Sequence, residues 1–241
     1  MTGDFVREEG EFRDDRLFFV GCDDRYAPDQ YFSFFRIPRI KVEVFPAVDD
    51  KSHAKYVVER MKTVDCEEDD EVWVVLDTDH CIKEGHFHSY EQALSEARQS
   101  GMNIAISCPC FEVWLACHHW DIDQMANEGL RTAANFNERL ASVIGYDKTN
   151  LKPSDFPIET LSQAYKRAEL RDAKILGGDK PDGVTTRVYK LWHNILLKAS
   201  FAQLPDSLKE LAAEIRGDCK TFGYIAQVPK SLERDILTKE N

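Results

Sequence analysis

Apolar and polar positions alternate in two distinct rhythms over the first half of the chain. Short runs at 16–21, 40–45, 71–77 and 103–107 are dense in Val, Ile, Phe and Leu and predict strands. Segments at 29–35, 52–62 and 89–98 carry apolar residues at helical spacing. Strand and helix in alternation predict successive βαβ units, hence an α/β fold with a mostly parallel four-stranded sheet flanked by helices. Val72, Trp73, Val74, Val75 and Leu76 form an unbroken apolar run, which predicts a central strand covered on both faces. Ser100 and Gly101 close the third helix as a C-terminal cap.

Beyond position 107 the strand signal fades and helices are predicted at 111–118, 131–144, 160–170, 184–198 and 205–216. Loops at 147–153 and 177–183 hold the Gly, Pro, Asn and Asp that favour turns. The expected organisation is an α/β core over 1–120 and a helical C-terminal region over 121–241 packed on it, with fraying in the last dozen residues.

The 241 residues suffice for one large domain or a compact domain with an appendage. No apolar run approaches the roughly 20 residues of a membrane span. The acidic N-terminus lacks the basic start and apolar stretch of a signal peptide, so a cytoplasmic protein is expected. Seven cysteines, an odd number, fit reduced thiols better than a disulfide framework. With 43 acidic against 31 basic side chains the net charge is −12, which excludes a generally basic nucleic-acid binder. Contact with nucleic acid must then be local, metal-assisted or supplied by a partner. Neither a Walker-type phosphate loop nor a Gly-x-Ser-x-Gly element is present.

The chemistry gathers at the ends of strands, where open α/β sheets bind their ligands. Asp77 and Asp79 follow the central strand at period two and point the same way if it continues through them. Asp23 and Asp24 follow the first strand and reach the same rim. Carboxylates meeting there repel one another unless a cation such as Mg²⁺ sits between them. Turn residues or helix N-caps are the competing reading of any single Asp-x-Asp pair.

These residues resemble the RloB family. Its members carry a Cys-Glu-Gly element after the first strand with Tyr-Phe soon after, an Asp-x-Asp strand end, and a Ser-Asn-Pro-Cys-Phe-Glu-x-Trp helix start followed by a histidine. The corresponding positions are Cys22, Asp23 and Asp24 with Tyr31 and Phe32; Asp77 and Asp79; and Ser107, Cys108, Pro109, Cys110, Phe111, Glu112 and Trp114 with His118. Weaker similarity continues through Tyr146, Lys148 and Asn150, through Ala164, Arg167 and Ala168, and through Thr186, Val188 and Leu191.

The resemblance implies a Toprim-like core whose glutamate and Asp-x-Asp pair bind Mg²⁺ or Mn²⁺ for phosphodiester chemistry. It also implies an antiphage or abortive-infection role beside an AAA-type ATPase partner, with nucleic acid, DNA or RNA including tRNA, as substrate; apart from the resemblance, a homo-oligomer is an open expectation. It assigns metal binding to Asp77 and Asp79, and to Asp23 in the glutamate's place as ligand or general acid/base. The sequence departs from the family at Asp23, one methylene shorter than glutamate, at Asp24 for glycine, and at Ala27-Pro28 for a Thr-Glu pair. A catalytically inactive scaffold that binds the ATPase through the helical half is the competing expectation.

Other candidates are local. Pro109 suits the first turn of a helix, with Cys108 at its cap, and Glu112 in that turn is either a dipole-favoured capping residue or a catalytic or supporting group at the rim. Trp114 and His118 share a helix face, as a core pair would. Cys108, Cys110, Cys117, His118 and His119 have the wrong spacing for a zinc knuckle. His80, Cys81, His86 and His88 with Asp79 lie on a loop that can face phosphate or a transition metal such as Mn²⁺, although a plain solvated loop is the favoured reading. Arg25, His118, Lys148 and Arg167, with Lys180 and Arg187, are the candidate phosphate contacts.

Overall fold

The structure is a computed structural model that describes residues 15–48, 52–79 and 87–221, with side chains through 217. Strand β1 (Arg16–Cys22) is followed by α1 (Ala27–Ser33), β2 (Ile40–Phe45), α2 (Ala54–Met61), β3 (Glu71–Asp77), α3 (Phe87–Gln99) and β4 (Asn103–Cys108). Then come α4 (Glu112–Cys117), α5 (Ile122–Asn127), α6 (Ala133–Ile144), α7 (Leu161–Asp172), β5 (Thr185–Thr186), α8 (Val188–Lys198) and α9 (Asp206–Thr221). The five-stranded sheet has the order β2-β1-β3-β4-β5; every pairing is parallel except the antiparallel β4–β5 pair.

β3 is the central strand, as its apolar run requires. Period-two alternation divides the core into two layers. Leu17, Phe19, Val74 and Leu76 pack with Val57, Met61 and Leu94 of α2 and α3. Phe18, Val20, Cys22, Trp73 and Val75 face the other way, against α1, α4, α7, α8 and α9. Gly21 sits where a Cβ would collide with Met61, so α2 lies against β1 only because that position has no side chain. Gly101, at φ +75°, ends α3, and Met102 N–H donates to Ala97 O at 2.9 Å, which is the expected cap.

The structure corrects the sequence reading in three places. A fifth strand exists: Thr185 and Thr186, expected inside a helix, pair with Cys108 and Ser107. Pro109 is not in the first turn of α4, and Cys108 is not its cap. Cys108 is the last residue of β4, the cap position falls to Phe111 without a side-chain bond, and Pro109 O accepts the N–H groups of Thr78 (3.0 Å) and Asp79 (3.1 Å). The helix α5, not expected, is capped by Asp121, which accepts from Asp123 N–H at 2.7 Å. Among the described residues no helix is long and apolar enough to cross a membrane.

Candidate metal centre

β1 and β3 run side by side with Cys22 beside Val75, so the two acidic segments leave the sheet as neighbours. The alternation that turns Phe18, Val20 and Cys22 toward α4 reaches Asp24 two residues later, and the one that turns Trp73 and Val75 the same way reaches Asp77. Glu112, the first residue of α4, comes in over that face. Oxygens of Asp24, Asp77 and Glu112 lie within 4.8 Å of one another, and all three residues are buried.

Two of the three carboxylates have named partners. Asp24 Oδ1 accepts the N–H groups of Tyr26 (2.7 Å) and Ala27 (3.1 Å) at the start of α1. Its other oxygen lies 2.5 Å from Lys148 Nζ. Glu112 Oε1 accepts the Tyr146 hydroxyl at 2.8 Å and lies 3.3 Å from the same ammonium. Glu112 Oε2 is buried with no hydrogen-bond partner. Nearby lies the Cys110 thiol, pushed well above its ordinary value by burial and by the Glu112 charge, and hence a neutral group. A buried carboxylate oxygen without a donor, as at Glu112 Oε2, is costly, and three converging carboxylates supply the oxygen-only donor set that a hard divalent cation prefers. The residues therefore fit a divalent cation; a buried Asp/Glu triad can hold one here.

Asp23 and Asp79 line the same cavity of about 270 Å³. Asp23 Oδ2 accepts the main-chain N–H of Asp77 at 2.9 Å. Burial pushes the Asp23 carboxyl up to about 8, against the Asp77 N–H bond that favours its charge and together with the repulsion of Asp24. Burial also raises Asp77 well above the carboxylate range, reinforced by Asp23 and Glu112. Burial disfavours the Lys148 ammonium, but Glu112 and Asp24 outweigh it and hold the group charged.

Of the predicted phosphate contacts, Arg25 and Lys148 line the cavity. His118 and Arg167 are placed elsewhere. His118 is buried, with Nε2 2.9 Å from the Tyr31 hydroxyl and Nδ1 2.7 Å from Thr160 Oγ1. Because Thr160 donates to Pro157 O at 2.8 Å, it accepts from His118 Nδ1–H, leaving Nε2 to accept from Tyr31. Burial lowers His118 to about 3, so it is a neutral structural ring. Arg167 donates to Cys117 O at 2.7 Å. Lys180 lies over the Phe87 ring and Arg187 pairs with Asp172. Cys117 donates to Val113 O, and the Cys/His segment forms no metal-ligating group among the described residues. His80, Cys81 and His86 lie outside the described residues, while His88 contacts Gln92.

Sequence reasoning did not assign Asp24 to the ligand set or give Tyr146, Gln30 and Arg60 a role. The alternation of 18, 20 and 22 was a usable signal for Asp24. Arg60, which donates to Cys22 O and Phe45 O at 3.0 Å, had none.

The RloB-like protein family model matches residues 18–195, well over half of the chain. The chain belongs to the RloB-like family. No curated protein and no solved structure matches it. The RloB-like region contains all five carboxylates of the cavity, together with Lys148.

Proposed function

We propose that this RloB-like chain is a divalent-metal-dependent nuclease of the Toprim-like kind, using Mg²⁺ or Mn²⁺, and the effector of an antiphage system that works with an ATPase partner. The observation that carries the proposal is the buried Asp24, Asp77 and Glu112 cluster at the carboxyl ends of β1 and β3, facing a cavity that also holds Arg25 and Lys148. The ATPase and the defence role rest on the family resemblance alone.

A hard divalent cation held by the cluster supplies Lewis-acid stabilisation for charge developing on a phosphoryl group. The chain's own residues do the rest. Asp24, Asp77 and Glu112 fix the position of the positive charge, and the capping bonds to Asp24 keep that carboxylate from turning away. Asp23, which lines the same cavity and accepts the Asp77 N–H at 2.9 Å, is the neighbouring carboxyl that would serve as general acid/base. The exposed Arg25, which lines the cavity, would hold a phosphate of the substrate strand locally, as an otherwise acidic chain requires.

The test is incubation of the purified protein, with and without the ATPase, with plasmid DNA and total tRNA in Mg²⁺ or Mn²⁺, beside Asp77→Ala. Cleavage that depends on both metal and Asp77 supports the reading. Absence of cleavage in every combination, or cleavage that survives Asp77→Ala, overturns it. One feature favours the alternative of an inactive scaffold: Lys148 already pairs with two carboxylates of the cluster. That reading expects binding to the ATPase with no metal-dependent cleavage.

A further inference from the structure

Lys148 Nζ lies 2.5 Å from Asp24 Oδ2 and 3.3 Å from Glu112 Oε1, so it touches two of the three carboxylates that can hold a metal. An ammonium and a divalent cation cannot both stay in contact with the same buried oxygens without strong repulsion. We propose that Lys148 is a tethered counter-cation which occupies the carboxylate cluster in the resting protein and has to leave it when a divalent metal enters. This rests on the metal-centre reading of the site and adds its regulation.

The ammonium does not complete the cluster. It shares Glu112 Oε1 with the Tyr146 hydroxyl and leaves Glu112 Oε2, fully buried, without a hydrogen-bond partner. That oxygen is an independent sign that the cluster is built for something other than the lysine. The carboxylates are the fixed side of the contact: the side chains of Asp24 and Glu112 are 2 % and 1 % exposed, and Asp24 is pinned by two main-chain N–H groups. Lys148 is the movable side, with 40 % of its side chain exposed and an open route to solvent.

Its backbone, however, is anchored. Lys148 O accepts from Gln30 Nε2 at 3.0 Å, and Leu151 N–H donates to Gln30 Oε1 at 2.9 Å, so one α1 side chain holds both ends of the segment. Displacement therefore swings only the four-carbon stem, and the ammonium remains tethered at the mouth of the cavity.

The test compares wild type, Lys148→Met and Lys148→Arg for Mn²⁺ affinity by isothermal titration calorimetry, with Asp77→Asn as the metal-site control. Removing the competing charge is expected to tighten Mn²⁺ binding about tenfold or more in Lys148→Met, whereas Lys148→Arg binds no tighter than wild type. In wild type, acylation of Lys148 by an amine reagent, read by peptide mass spectrometry, is expected to rise severalfold at saturating Mn²⁺, while Lys55, an exposed lysine of α2 paired with Glu59, does not change. Equal or weaker Mn²⁺ binding in a folded Lys148→Met overturns the proposal, and so does unchanged Lys148 reactivity at Mn²⁺ saturation. If Lys148→Met does not fold, the wild-type acylation result decides. Failure of wild type to bind Mn²⁺ at all, or binding unaffected by Asp77→Asn, removes the metal-centre reading instead.

Discussion

The main-chain N–H of Asp77 donates to Asp23 Oδ2 at 2.9 Å and ties the end of β3 to the end of β1 across the middle of the sheet. The bond gives Asp23 a structural duty besides its charge, and the two can be separated. Asp23→Asn keeps an acceptor for the N–H, whereas Asp23→Ala leaves a buried donor unpaired, which costs about 1–3 kcal/mol. Urea unfolding is expected to rank Asp23→Ala below both wild type and Asp23→Asn; equal stability of the Ala and Asn variants would show that the bond contributes nothing.

The pH dependence of the same pair follows from the sign of the shift. The folded-state carboxyl of Asp23 is raised to about 8, so without metal the folded protein retains a proton that the unfolded chain releases near pH 4. Stability from this group is full below about pH 4 and falls as pH rises toward about 8. Asp23→Asn removes the effect, so its melting temperature relative to wild type is expected to climb between about pH 5 and 8 in chelator. A difference that is flat or declines over that range contradicts the assignment.

Glu112→Gln preserves an acceptor for the Tyr146 hydroxyl and deletes one charge from the cluster. The variant is expected to fold and to lose Mn²⁺ affinity by about tenfold or more, the effect of a missing charged ligand. Calorimetric titration against wild type provides the check, and unchanged affinity excludes Glu112 from the ligand set.

Tyr31 and His118 form a buried pair whose loss is purely structural. Tyr31→Phe leaves His118 Nε2 without its donor and is expected to cost about 1–3 kcal/mol in denaturant unfolding. Because burial lowers His118 to about 3, the stability from its neutral ring is present above about pH 6.5 and lost as pH falls toward 3. An NMR titration showing this ring protonating near 6.5 in the folded protein rules out that account.

At Gly21 the prediction is steric. Gly21→Val forces Met61 out of its place against β1 and is expected to destabilise by about 1–3 kcal/mol. Met61→Ala should recover part of that loss, as a double-mutant cycle would measure.

Much of the sheet was legible because its strands are buried on two faces and announce themselves as apolar runs; the bounds of β2 and β3 agree with the sequence reading residue for residue. β5 was not legible, since two threonines form a strand only because Ser107 and Cys108 present a free edge to them. The acidic rim was legible as a place. Which of its carboxylates converge depends on pleat direction and on the angle at which α4 returns, and these brought in Asp24 and Glu112. The roles of Lys148 and Tyr146 at those carboxylates depend on contacts across 124 and 34 positions or more, distances at which local periodicity carries no information.

One apolar layer runs from Phe18 in β1 through Tyr31, Trp114 and Trp192 to Ile215 in α9. The acidic rim and the late helices are thus obligate neighbours rather than exchangeable modules. Recombination that swaps the second half for another would strip one face of the sheet and leave Phe18, Val20 and Val75 without their cover.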